Sequence, residues 1–151
     1  MNLGMDFLHL GVDPGGELRE QFPSTRVVRN LCTIMAGAEP IEIPMEIQEK
    51  AQSFLSGCQL SCNDSSNIKY YGFSLPDGDH LLGLWIDGKA MDAYDGVAST
   101  VTITDFATDT VIGIDVLYGF KQELITSVVD GNLVIENLLV TDYPILLQLT
   151  H

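Results

Sequence analysis

Apolar residues at every second position, in short runs separated by turn formers, dominate this chain from Ile41 onward and confine it to β architecture. The runs are 41–47, 68–75, 80–86, 97–104, 110–117, 120–129, 133–140 and 145–149. Successive side chains of a strand point to opposite faces, so such a run buries one face and wets the other. In 97–104, Val97, Ser99, Val101 and Ile103 take one side while Ala98, Thr100, Thr102 and Thr104 take the other. About eight short strands with turns between them predict a mostly β fold, an antiparallel β-sandwich. A parallel α/β sheet is excluded, because each of its crossovers needs a helix or comparable length and no helical period interrupts the strands.

The clearest local element is a hairpin of 68–75 and 80–86 joined by Pro76-Asp77-Gly78-Asp79. Tyr71, Phe73 and Leu75 share one face of its first strand, and Leu82, Leu84 and Ile86 share one face of its second. Trp85 falls on the face opposite that leucine row if the strand carries no bulge. Asp130-Gly131 predicts a second tight hairpin, since both residues tolerate left-handed geometry.

Ahead of the strands, Asp13-Pro14-Gly15-Gly16 is a turn signal, and Pro23 ends a short helical turn over 17–22. Ser24 or Thr25 can cap a helix that runs to Gly37, because Val27, Val28, Leu31, Ile34 and Met35 recur at three- and four-residue steps. Residues 1–23 are thus an N-terminal lead-in, and residues 24–151 hold a short helix plus the β-sandwich, a single domain overall. The length of 151 residues suits one core, and 46% hydrophobic with 19% charged residues is a globular composition. Residues 48–67 show no readable pattern beyond Phe54, Leu55 and a polar run from Ser61.

With 21 acidic residues against 7 basic ones the formal net charge is -14, a field that repels phosphate polymers and anionic membrane faces. Nucleic acid is excluded as a partner on that ground, whereas a neutral sugar, a cation or a basic protein is not. Cys32, Cys58 and Cys62 contain no CxxC pair, and His9, His80 and His151 follow no ligand spacing, so zinc is not expected. Cys58 and Cys62 can pair only in an oxidising compartment. Met1 to Leu10 carries Asp6 and no basic leader, and no stretch approaches the roughly 20 apolar residues that span a bilayer. The expectation is a soluble, cytoplasmic protein without membrane contact.

Two stretches resemble a known arrangement. Val28-Arg29-Asn30-Leu31 through Met35-Ala36-Gly37-Ala38-Glu39-Pro40 resembles the last helix of the catalytic barrel in some glycoside hydrolases and the link that leaves it. Tyr71-Gly72-Phe73, Leu84-Trp85-Ile86-Asp87-Gly88, the run from Gly113 to Leu124, and Leu138 to Ile145 are similar to the antiparallel β-sandwich that follows that barrel. The resemblance covers the chain from about Thr25 onward, and its motifs are turns and strand starts rather than chemical signatures. It implies an accessory domain that packs against, or once belonged beside, a sugar-cleaving barrel. It implies no activity here, because the barrel with its paired carboxylates would lie upstream.

Glycoside hydrolysis needs two carboxyl groups facing one another across the bond. Asp13, Glu17, Asp77, Asp79, Asp87, Asp92 and Asp95 fall instead in turns and loops, where aspartate is selected for its backbone chemistry. The segment 87–96 departs from a calcium loop, with apolar or basic residues between its acids and no closing glutamate. No Ser sits in a GxSxG turn, and no Cys has a readable His partner. No catalytic residue, cofactor or metal is therefore assigned, and the chain reads as a non-enzyme. Exposed aromatic rings can stack on sugars, with Trp85, Tyr94 and Tyr118 the candidate ligand-binding residues and Tyr70 and Tyr71 beside them. The competing expectation places Trp85 and Phe73 in the core. The function expected is a non-catalytic accessory or interaction module that meets a protein partner, or itself through Val27, Leu31 and Met35. The alternative is a carbohydrate-binding module for a neutral glycan.

Overall fold

A computed structural model describes residues 23–49, 67–88, 95–108 and 110–150. In chain order the elements are helix α1 (Pro23–Ile34) and strands β1 (Glu39–Ile41), β2 (Met45–Glu49), β3 (Ile68–Ser74), β4 (His80–Ile86) and β5 (Val97–Ile103). Then follow β6 (Val111–Asp115), β7 (Lys121–Glu123), β8 (Thr126–Val129), β9 (Asn132–Val140) and β10 (Ile145–Leu149). One sheet has the order β1-β3-β4-β10-β6-β7 and the other β2-β5-β9-β8, and every pairing is antiparallel.

The sheets meet over an interior to which both contribute. Leu82, Leu84, Val111, Leu147 and Leu149 from the six-stranded sheet pack with Val101, Ile103, Leu133, Ile135 and Val140 from the four-stranded one. Each such side chain contributes about 1.5–3 kcal/mol by leaving water, which makes this layer the main source of stability. Ser99 shares the buried face of β5, as the alternation predicts.

The six-stranded sheet is also covered on its outer face. Leu81, Ile114, Val116 and Leu146 form a second cluster against Val27, Leu31, Ile34 and Met35 of the helix side. The order of layers is therefore helix, six strands, four strands. Asn30 ties them at one point, its Nδ2 donating to the Val116 carbonyl over 2.8 Å. Val27, Leu31 and Met35, the stripe expected to meet a second copy, are partly buried in this packing. Val28 from the same stripe is exposed.

The helix starts one residue earlier than its capping residues suggest. Pro23 occupies the first turn, where a missing N–H costs nothing, so Ser24 and Thr25 stand inside the helix rather than before it. It ends at Ile34, and Gly37 follows in the turn with φ at 74°.

Two of the predicted strands are each divided. The run 41–47 becomes β1 and β2, and the run 120–129 becomes β7 and β8, with the chain passing from one sheet to the other in between. Pro44 lies in the first crossing. Ile43 there turns inward over Gly72, where a Cβ would come within 2.8 Å of the Ile41 carbonyl oxygen and within 2.7 Å of Ile43 Cγ1. The Asp130-Gly131 hairpin forms as predicted, with φ of 52° and 81°.

Among the described residues no helix is long and apolar enough to cross a membrane. Residues 1–22, Cys58, Cys62 and the 89–94 part of the loop considered for calcium lie outside the described residues.

Candidate functional site

The six-stranded sheet and the four-stranded sheet part at one corner to leave an open groove of about 640 Å³. Volumes of that size suit a small ligand or a stretch of peptide. Its floor is the inter-sheet layer itself, with Ile135, Leu138, Ile145 and Leu147. Leu124, which lies over Gly113, and Ile125 close one end where the chain crosses from β7 to β8.

A turn with many internal hydrogen bonds builds one lip. The Asp115 carboxylate accepts from the N–H of Leu117 (2.8 Å) and of Tyr118 (2.9 Å) through Oδ1. Its backbone closes the loop, with Asp115 N–H donating to the Phe120 carbonyl and Gly119 N–H to the Asp115 carbonyl. The Tyr143 hydroxyl donates to Asp115 Oδ2 over 3.1 Å. Burial, and then the adjacent Asp115 charge, push the Tyr143 phenol above its ordinary value of 10.0. This arrangement presents Tyr118 and Phe120 to solvent, 60% and 70% exposed, with ring centres 6.0 Å apart and planes within 17°.

A bulge shapes the opposite lip. Ser99 pairs with Leu138 and Val101 with Ile135, so Glu136 and Asn137 together oppose Thr100. Asn137 takes φ of 57° there, a conformation uncommon outside glycine but tolerated by asparagine. Beyond it Leu139 projects outward and is half exposed. The charged residues lining the groove are Asp115, Glu123 and Glu136, all of them acids.

A second feature lies on the outer face of the six-stranded sheet, outside the cluster beneath the helix. The β3–β4 register runs unbroken from Ile68↔Ile86 to Ser74↔His80, which sets Tyr71 opposite Gly83 and Lys69 opposite Trp85. Tyr71 and Trp85 are diagonal neighbours on that face, with ring centres 5.6 Å apart and planes within 14°. Tyr71 is 61% exposed and Trp85 half-buried. The expectation that Trp85 fills the core is thus corrected: parity turns it away from the sandwich interior. Phe73, on the same face, is partly buried under the helix.

Two of the candidate ligand-binding residues, Trp85 and Tyr118, enter separate ring pairs. Trp85 pairs with Tyr71, Tyr118 pairs with Phe120, and Tyr94 lies outside the described residues. Sequence reasoning missed the groove, although one signal was present. In 133–140 the buried positions change parity, from Leu133 and Ile135 to Leu138 and Val140, and only a bulge can reconcile the two sets.

Two of the acids singled out in turns, Asp77 and Asp79, have structural roles. Asp77 accepts from the Asp79 N–H, and Asp79 accepts from Gln148 Nε2 over 2.7 Å. Among the described residues no three His, Cys, Asp or Glu side chains converge as a metal site. No protein-family model matches the chain, and no curated protein matches it.

Proposed function

We propose that this domain is a non-catalytic interaction module, an accessory β-sandwich of the kind that follows glycosidase barrels, and that it works through the β7–β8 edge. One observation carries the reading. Of the nine exposed large hydrophobic residues among the described ones, six (Tyr118, Phe120, Ile125, Val128, Val129 and Leu139) belong to the strands and turns of that edge. Scattered apolar residues are ordinary on a surface, but three of these six, Phe120, Ile125 and Leu139, line one groove, and such a concentration marks a contact site. Ile125, 94% exposed, gains nothing from folding where it stands. Its apolar surface is free to meet a partner.

The test is the paired substitution Phe120→Ser with Ile125→Ser, read with Nile red, a neutral dye that the acidic surface does not repel. Saturable emission from the native protein, lost in the variant at unchanged melting temperature, supports the edge. Equal emission from both proteins puts the accessible apolar surface elsewhere and ends the proposal.

The Tyr71–Trp85 pair favours a second reading, a contact with a neutral glycan. Two nearly parallel rings outside the helix-covered cluster offer apolar surface to the C–H face of a pyranose. A saturable change in tryptophan emission across a panel of soluble polysaccharides, abolished by Tyr71→Ser, supports that reading. Emission unmoved by every glycan removes it.

A further inference from the structure

β9 is nine residues long, yet β8 pairs only with Asn132–Ile135. Past the bulge, from Leu138 to Val140, the side of β9 turned away from β5 has no strand partner among the described residues. An unpaired strand edge is a template for one more strand. This edge runs along the groove, where a strand laid beside it would turn alternate side chains onto the apolar floor and the others to solvent.

We infer, on the basis of the interaction edge proposed above, that this stretch of β9 receives an extended peptide of a partner protein in which apolar residues alternate with lysine or arginine. Floor chemistry, charge and backbone geometry all select that occupant. The floor of Ile135, Leu138, Ile145 and Leu147 accepts aliphatic side chains. Asp115 is engaged by its own turn and by Tyr143, but Glu123 and Glu136 are exposed on the two lips. Together with a net charge of -14 they attract a cationic strand, and they oppose a second copy of this chain, which would bring like charges together. The bulge at Glu136 and Asn137 interrupts the edge just past the end of β8, so a long sheet cannot grow there by simple extension. Pairing is confined to a short run over Leu138–Val140, and selectivity passes to the side chains.

The experiment uses a dye-labelled, amidated peptide in which valine and lysine alternate, followed by fluorescence anisotropy on the full chain. Its controls are the valine–glutamate peptide and the valine–lysine peptide N-methylated at every second amide, made in both registers. Saturable binding of the first peptide is expected, weaker by at least about tenfold for the glutamate peptide and for one N-methylated register. Glu123→Lys with Glu136→Lys should reverse the charge preference, and both side chains are exposed, so the fold survives the change. Equal binding of native and N-methylated peptides overturns strand addition while leaving the interaction edge standing. Binding that Phe120→Ser with Ile125→Ser does not weaken overturns the edge as well. No saturable binding of any peptide overturns the inference, as does a dimer in sedimentation velocity that Glu123→Lys with Glu136→Lys alters, which gives the edge to a second copy.

Discussion

Replacing Gly72 by alanine should destabilise the domain even though alanine suits a strand better. Gly72 sits between Ile41 and Leu82 in the sheet, and the β1–β2 crossing folds back over it. The new methyl would lie 2.7 Å from Ile43 Cγ1, 2.8 Å from Ile43 Cδ1 and 2.8 Å from the Ile41 carbonyl oxygen. The Cδ1 atom can swing aside; the backbone oxygen cannot without moving β1. Overpacking of this kind costs about 1–3 kcal/mol, and the stiffer unfolded chain returns about 0.4–1 kcal/mol, leaving a net loss of about 1–2 kcal/mol. For a chain of this length that lowers the melting temperature by about 2–8 °C. Ile43→Ala alone opens a cavity and costs about 2–5 kcal/mol. In the double variant the alanine methyl occupies part of that cavity, so its loss should fall short of the sum of the two single losses by about 0.5–3 kcal/mol. Urea titration of all four proteins measures the cycle, with an unchanged slope confirming that the unfolded states are comparable. A Gly72→Ala variant as stable as the parent, or a strictly additive cycle, would refute the account of this crossing.

Tyr143→Phe removes the hydroxyl bonded to Asp115 and should cost about 1–2 kcal/mol at neutral pH, because the acceptor is a carboxylate. Folding raises the Tyr143 phenol above 10.0, so its contribution is complete below about pH 10 and is lost as pH climbs through the raised value. The gap between the two proteins should therefore narrow in alkaline denaturation curves, and a constant gap contradicts the assignment. Asn30→Ala deletes the bond to the Val116 carbonyl and should cost about 0.5–1.5 kcal/mol. Faster amide exchange in α1 than in the β-sandwich interior is the readout, and uniform acceleration would mean that Asn30 does not hold the helix in place.

Period-two alternation revealed the sandwich, yet it concealed both crossings between sheets. Ile43 points inward from the link after β1, and Leu124 does the same from the link after β7, so the pattern continues where pairing has already changed partner. Alternation records which side is dry, not which strand lies alongside. The third layer was half legible. The helical stripe required a surface to dock on, and β4 reads His-Leu-Leu-Gly-Leu-Trp-Ile, apolar on both faces, as a strand covered from both sides must be. The groove was illegible as a whole, because Asp115, Glu136 and Ile145 are far apart in sequence and only register brings them to one corner. Trp85 shows the opposite case: the parity of β4 alone was enough to turn it outward, and the general preference of tryptophan for interiors misled.

β10 comes after every other strand in chain order but lies between β4 and β6. Until Ile145–Leu149 arrives, β1-β3-β4 and β6-β7 are two separate ribbons with no strand pairing between them among the described residues. β10 therefore acts as a zip, and the larger sheet is complete only once this strand has joined both ribbons. Leu146, Leu147 and Leu149 are almost wholly buried, so a chain ending before Ile145 should lose cooperative unfolding altogether rather than fray at one end. A sharp melting transition in such a truncated chain would show that the two ribbons can find one another unaided.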